Sequence, residues 1–208
     1  MQIKRATFVT SLTGNQKFSG QGLPQIAIAG KSNVGKSSLI NCLCNQNKLA
    51  RVSSEPGKTR LVNVFRINDD FHLVDLPGYG YARVSRTMIE DWGAMMDSYL
   101  SGSEHLCHIL HLVDIRHDPG ENDIQMQAWI QHNNLPCTVI ATKSDKLSRA
   151  QQQKAILGIS NLLPADKDML VRIPYFGKKG VEKYGDAILE IVYAYCKEKG
   201  LEEPDLML

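Results

Sequence analysis

Residues 30–37 read GKSNVGKS and hold the densest chemistry in the chain. Gly30, Gly35, Lys36 and Ser37 match the spacing G-x-x-x-x-G-K-[ST]. Glycines at these positions let backbone N–H groups wrap a run of phosphates. Lys36 then reaches the β- and γ-phosphates, and the Ser37 hydroxyl is offered to Mg²⁺. A helix opening here adds the partial positive charge of its N-terminus. Lys31, Ser32, Asn33 and Val34 complete the loop, and Ser38 follows it into the helix.

Asp75, Leu76, Pro77 and Gly78 read DLPG. An Asp in this place holds Mg²⁺ through its hydration shell, and a Gly amide senses a γ-phosphate. Alone, D-x-x-G is a common turn; its position after an apolar run and after residues 30–37 gives it weight. Thr142, Lys143, Ser144 and Asp145 read TKSD. A carboxylate at Asp145 can accept from both the N1–H and the 2-amino group of guanine. Adenine offers neither donor there, so the pairing is lost. Lys143 would lie along the base and the phosphate loop. The alternative for Asp145 is a helix cap in a polar turn.

Between the first two motifs, Gly57, Lys58 and Thr59 lie in PGKTR (56–60). A loop here could bring the Thr59 hydroxyl to Mg²⁺ when a γ-phosphate is present, an order–disorder switch. Ser53 and Ser54 are rivals for that role, and the Pro-Gly before Thr59 favours Thr59. The candidate catalytic residues are therefore Lys36, Thr59 and Gly78, and the candidate Mg²⁺ ligands are Ser37, Thr59 and Asp75.

These motifs need elements to position them. Apolar runs at 25–29 (QIAIA), 61–67 (LVNVFRI), 71–74 (FHLV), 105–113 (HLCHILHLV), 137–141 (CTVIA) and 169–173 (MLVRI) read as strands. The turn Asn68-Asp69-Asp70 makes the second and third of these antiparallel neighbours. Helical spacing follows Ser37 and recurs at 88–100, 124–130, 150–163 and 181–197. The pattern predicts a three-layer α/β domain: a six-stranded, mainly parallel sheet with one antiparallel strand and helices on both faces. Such sheets present ligands at the carboxyl ends of their strands, where every motif falls. Residues 1–23 read as an N-terminal extension, 24–199 as the domain and 200–208 as a C-terminal tail.

Composition narrows the class. The 208 residues fit one domain, and a formal charge of +2 excludes a strongly cationic protein. The cysteines, Cys42, Cys44, Cys107, Cys137 and Cys196, are odd in number and include no C-x-x-C pair. They read as reduced thiols in a cytoplasmic protein. No run approaches the roughly 18 apolar residues of a membrane span, so no membrane partner is expected. His105, His108 and His111 share a strand without a carboxylate or thiol at ligand spacing, which argues against a metal site there. Trp92 and Trp129 fall on apolar helical faces and read as core.

The order of phosphate loop, Thr loop, DLPG and TKSD, each at a strand end, resembles a TRAFAC-class small GTPase. The strings GKSNVGKSSLIN, PGKTR, VDLPGYGYA, DIRH and TKSDKL are similar to the EngB (YihA/YsxC) family of bacterial ribosome-biogenesis GTPases. The resemblance covers about residues 24–197 and implies a P-loop GTPase fold, binding of GTP and GDP with Mg²⁺, and slow hydrolysis. It also implies a role in large ribosomal subunit assembly, with ribosomal RNA and proteins as partners, and a link to cell division and septation. In one place the chain departs from the pattern. A Ser-Ser pair usually meets guanine after the last strand, whereas here the region reads PYFGK, leaving Tyr175 or Phe176 as the contact.

Many small GTPases place a Gln after D-x-x-G to orient water; here Tyr79 stands there and cannot do so. Slow intrinsic turnover, raised by a partner or a cation, is expected. Asn33 sits where related GTPases hold K⁺ with an Asn, and its alternative is loop shaping. Lys58, Arg60, Arg83, Arg86, Lys178, Lys179 and Lys183 read either as contacts to ribosomal RNA phosphates or as a solvated surface. A monomeric assembly switch is the leading reading. A GTP-dependent partner of the division machinery without an RNA role is the second, and a P-loop kinase or ATPase the third.

Overall fold

A short hairpin organises one side of the sheet. Strand β3 (Val62–Ile67) turns into β4 (Phe71–Asp75) through Asn68 and Asp69, whose φ values of 51° and 68° are both positive. Two such residues lie at the centre of the turn, Asp70 completes the three-residue connection, and Asn and Asp tolerate the left-handed conformation better than most. The turn closes with Asp70 N–H donating to Ile67 O at 2.8 Å. The computed structural model describes residues 3–13, 16, 18–50, 61–80, 93, 98–100, 103–163 and 170–172.

Among the described residues the sheet has seven strands, in the order β1-β3-β4-β2-β5-β6-β7. The others are β1 (Ala6–Leu12), β2 (Gln25–Gly30), β5 (Leu106–Asp114), β6 (Cys137–Thr142) and β7 (Leu170–Arg172). β3 is antiparallel to both neighbours, and every other pairing is parallel. All six expected strands are therefore present, with the one antiparallel strand in its expected place. The seventh, β1, comes from the segment read as an extension. Only Ala6 and Leu12 of β1 are buried, Phe8 and Val9 are exposed, and the register shifts between Phe8 and Thr10. The strand therefore lacks clean alternation. It is tied to the hairpin instead: Asn68 Oδ1 accepts the N–H groups of Lys4 and Arg5 at 2.8 and 3.0 Å.

Central β2 is buried at every position, as expected of a parallel strand covered on both faces. On one face Ile26, Ile28, Leu110, Leu112 and Ile140 meet Leu39, Ile40 and Leu43 of α1 (Lys36–Leu43). On the other, Ala27, Ala29 and Ile109 meet Met126 and Ile130 of α2 (Glu121–His132), together with Tyr99 and Leu100. Further along that face Val113, Val139 and Ala141 receive Ile159 of α3 (Arg149–Leu162). Burial of this much aliphatic surface on two sides is the main stabilising contribution.

Helix starts are set by local chemistry. Ser148 caps α3 in a reciprocal box with Gln151, and Asp123 accepts the Gly120 N–H at 2.9 Å to open α2. At the far end of α1 the buried Asn41 amide accepts Ala50 N–H at 2.7 Å and donates to Ala50 O at 2.8 Å. Cys42, Cys44, Cys107 and Cys137 form no disulfide with one another among the described residues. Burial pushes the Cys44 and Cys137 thiols up to about 12, so they stay protonated and inert. Cys196, the expected helix at 181–197 and most of that at 88–100 lie outside the described residues. No helix among the described residues is long and apolar enough to cross a membrane.

Candidate functional site

β2 ends at Gly30, which lies so close to β5 that a Cβ there would stand 2.7 Å from Leu112 O and 2.9 Å from Val34 Cγ1. Only glycine fits, and the chain can then turn over the strand end. Asn33 takes a left-handed φ of 62°, which suits Asn. The loop closes with Val34 N–H donating to Lys31 O, and α1 starts at Lys36. The amides of this loop and the start of the helix make an anion cradle.

Lys36 is buried, and its ammonium donates to Gly30 O at 3.2 Å. Asp75, at the carboxyl end of neighbouring β4, is buried too, and the Ser37 hydroxyl donates to its carboxylate. Burial lowers the Lys36 pKa, with Asp75 opposing. Burial raises that of Asp75 to about 6, with Lys36 and Ser37 opposing. Asp75 Oδ1 and Ser32 Oγ are buried without a hydrogen-bond partner among the described residues. One hydroxyl and one carboxylate with an open oxygen suit Mg²⁺, which keeps water and phosphate in the rest of its octahedron.

The DLPG turn is pinned beside this cradle. Leu76 N–H donates to Ile28 O, and Ser32 N–H donates to Tyr79 O at 3.0 Å. A Cβ on Gly78 would lie 2.7 Å from Ser32 Oγ and 3.0 Å from Lys36 Nζ. The glycine is thus what lets the turn reach the lysine.

TKSD arrives from β6. Thr142 Oγ1 lies 2.8 Å from Val34 O and 3.1 Å from Val113 O, so it ties this strand end to the phosphate loop. Lys143 has a left-handed φ of 62° and donates from Nζ to Asn33 O at 2.8 Å. The same ammonium sits 2.9 Å from Asp114 Oδ2. Ser144 is buried, while Asp145, in the turn Ser144–Lys146, stays accessible with Lys146 at 3.1 Å.

Gly30 to Ser38, Asp75 to Gly78 and Thr142 to Asp145 therefore converge at the carboxyl ends of β2, β4 and β6. Gly57, Lys58, Thr59, Tyr175 and Phe176 lie outside the described residues, as do all seven basic residues singled out above. Asp114, last residue of β5, escaped the sequence reading as a site residue. Burial opposes its charge. Hydrogen bonds from Arg116 and Lys143 outweigh that and hold the carboxyl well below the usual range. Its only signal was its place in DIRH at a strand end. Beside this clamp a cleft of about 280 Å³ opens between Lys31–Val34 and the loop at 114–120. It flanks the cradle and is not lined by Lys36 or Asp75.

Comparison with known proteins fits this geometry. Residues 25–143 match the family model described as 50S ribosome-binding GTPase. A second model, the HRDC domain, matches 148–192. That stretch includes α3, whose Ile159 packs on the same sheet. The chain is 49% identical over 192 residues to the probable GTP-binding protein EngB of Alkaliphilus metalliredigens (strain QYMF), covering 92% of each. It is 45% identical over 206 residues to that of Alkaliphilus oremlandii (strain OhILAs), covering 99% of each. A crystal structure of a probable GTP-binding protein engB superposes with a TM-score of 0.67 at 22% identity, over 81% of this chain and 98% of that one, which speaks to the fold.

The Lys143–Asp114 pair generates a test. Asp114→Asn keeps the shape but removes the charge, and should weaken binding of a fluorescent GDP about tenfold, the cost of a charge-assisted hydrogen bond. The urea midpoint should change little, because both side chains are partly exposed.

Proposed function

The chain belongs to the EngB family of P-loop GTP-binding proteins, and from that membership we propose that it is a GTP-driven switch in assembly of the large ribosomal subunit. The observation that carries this reading is the convergence of Lys36, Ser37, Asp75 and Gly78 on one cradle, with Lys143 joining it to the segment that bears Asp145. Support for the ribosomal part is the family model's description as ribosome-binding. A role in normal division and septation follows from the same assignment, as does a cytoplasmic monomer whose GTPase domain spans 24–199, with β1 of the preceding segment added at its sheet edge.

In this reading the amides of Gly30 to Ser38 and the Lys36 ammonium bind the phosphates. Ser37, Thr59 and Asp75 hold Mg²⁺, which neutralises charge on the β- and γ-phosphates when bound. Thr59, flanked by Gly57 and Lys58, joins when the γ-phosphate is present, and the Gly78 amide reads that phosphate. Asp145 accepts from guanine N1–H and the 2-amino group, with Lys143 along the base and Tyr175 or Phe176 closing the other side.

Hydrolysis is slow without help, because the residue after Gly78 is not free to orient water. The Tyr79 hydroxyl is buried against His111 and Asp123. Asn33, exposed on the phosphate loop, is the candidate K⁺ ligand that would supply the missing positive charge. The basic residues near 58–60, 83–86 and 178–183 are the candidate contacts to ribosomal RNA.

Sedimentation with large ribosomal subunits tests the proposal. Association favoured by a non-hydrolysable GTP analogue over GDP is expected. Intact guanine binding with no association in any nucleotide state would point to a division-machinery partner instead. Turnover at saturating GTP should be faster in KCl than in NaCl, and equal rates would remove the potassium role. Competition of ATP with labelled GDP would revive the kinase or ATPase reading.

A further inference from the structure

The residue that follows Gly78 is fastened at two points. The Tyr79 carbonyl accepts the Ser32 N–H of the phosphate loop at 3.0 Å, and Tyr79 bridges Lys31 as a short piece of parallel ladder. Its hydroxyl enters a buried polar chain. It donates to Asp123 Oδ1 at 2.7 Å and lies 2.7 Å from His111 Nε2. His111 Nδ1 continues to Gln127 Oε1 at 2.9 Å, and the other Asp123 oxygen accepts the Gly120 N–H at 2.9 Å. Three separate elements supply this chain: the DLPG turn, β5 and α2. Tyr79, His111, Asp123 and Gln127 are all less than a tenth exposed.

A hydroxyl carries one proton. With Tyr79 donating to Asp123, the His111 Nε2–H donates to the Tyr79 oxygen, and the neutral ring's Nδ1 accepts once the Gln127 side-chain amide is turned to present its N–H. Such a network is costly to leave half made, so the hydroxyl has one favoured position. The backbone one residue earlier inherits that restraint. Gly78 is the residue whose missing side chain lets the turn lie against Ser32 and Lys36.

We propose that Tyr79 is a positioning residue for γ-phosphate recognition: its hydroxyl, locked between His111 and Asp123, holds the Gly78 amide against the phosphate loop. This rests on Gly78 reading the γ-phosphate. A donor fixed in advance needs no reorganisation when the charged group arrives. A nucleoside diphosphate makes no contact at Gly78, so it is blind to the restraint. Only interactions that differ between two ligands can separate their affinities. Loosening Tyr79 must therefore cost the triphosphate and spare the diphosphate. α2, through Asp123, becomes part of the apparatus that tells the two apart.

Fluorescent GDP and a fluorescent non-hydrolysable GTP analogue, titrated into wild-type protein, Tyr79→Phe and Asp123→Asn, decide the matter together with single-turnover hydrolysis. Both variants should keep GDP affinity within about twofold. They should lose about tenfold in analogue affinity, the scale of one lost charge-assisted hydrogen bond, with a parallel fall in turnover. An unchanged analogue-to-GDP ratio and turnover would overturn the proposal, as would equal weakening of both nucleotides, which marks a merely structural role. If Tyr79→Phe does not fold, Asp123→Asn carries the comparison; failure of both to fold marks a structural core and also overturns it. Wild-type protein that binds neither nucleotide would overturn the parent reading as well, whereas normal wild-type binding with unmoved variants sinks this proposal alone.

Discussion

A lysine and an aspartate, each more than nine-tenths buried, sit together where β2 and β4 end. Taking two charges out of water is expensive, and their mutual attraction offsets this only with good geometry and further hydrogen bonds. Here the offset is incomplete. Burial displaces Lys36 and Asp75 toward their neutral forms even though each favours the charge of the other. Phosphates beside Lys36 and a divalent cation beside Asp75 reverse both displacements, since an opposite charge favours the ionised state. The pair therefore makes sense as half of a complex, and the surrounding fold serves to keep it in place.

Parallel pairing is what delivers the other parts to this spot. Because β2, β4, β5 and β6 run the same way, their carboxyl ends lie side by side, and the residues that follow them share one rim. The rim is then laced together by groups that do not touch the pair. Thr142 reaches the carbonyl of Val34, and Lys143 spans from Asn33 to Asp114. The segment that bears Asp145 and the phosphate loop, more than a hundred residues apart in the chain, are thus tied to each other.

Motifs that act through their own backbone were legible in the chain. GKSNVGKS, DLPG and TKSD each carry a fixed spacing and follow an apolar run, and the six expected strands lie within a residue or two of those observed. What escaped depends on distant partners. β1 has exposed Phe8 and Val9 where alternation should hide one of them, and its partner residues are 50 to 61 positions away. Asp114 stood in the sequence only as part of DIRH, and its role becomes visible with the Lys143 and Arg116 that come to it. The Tyr79 hydroxyl finds His111 and Asp123 across separations of 32 and 44 residues, which no local pattern encodes.

Exchanging one carboxylate for an amide tests the claim that this rim reads guanine. Asp145→Asn replaces an acceptor by a donor, which mismatches the 2-amino group of guanine and matches the 2-oxo group of xanthine. Affinities of the wild-type and variant proteins for GDP and xanthosine diphosphate are the measurement. GDP affinity should fall on the order of 100-fold and xanthosine diphosphate become the preferred ligand, as expected when a buried hydrogen bond is lost with one nucleotide and gained with the other. Undiminished GDP preference in the variant would contradict the assignment of Asp145 and, with it, the guanine specificity of the site.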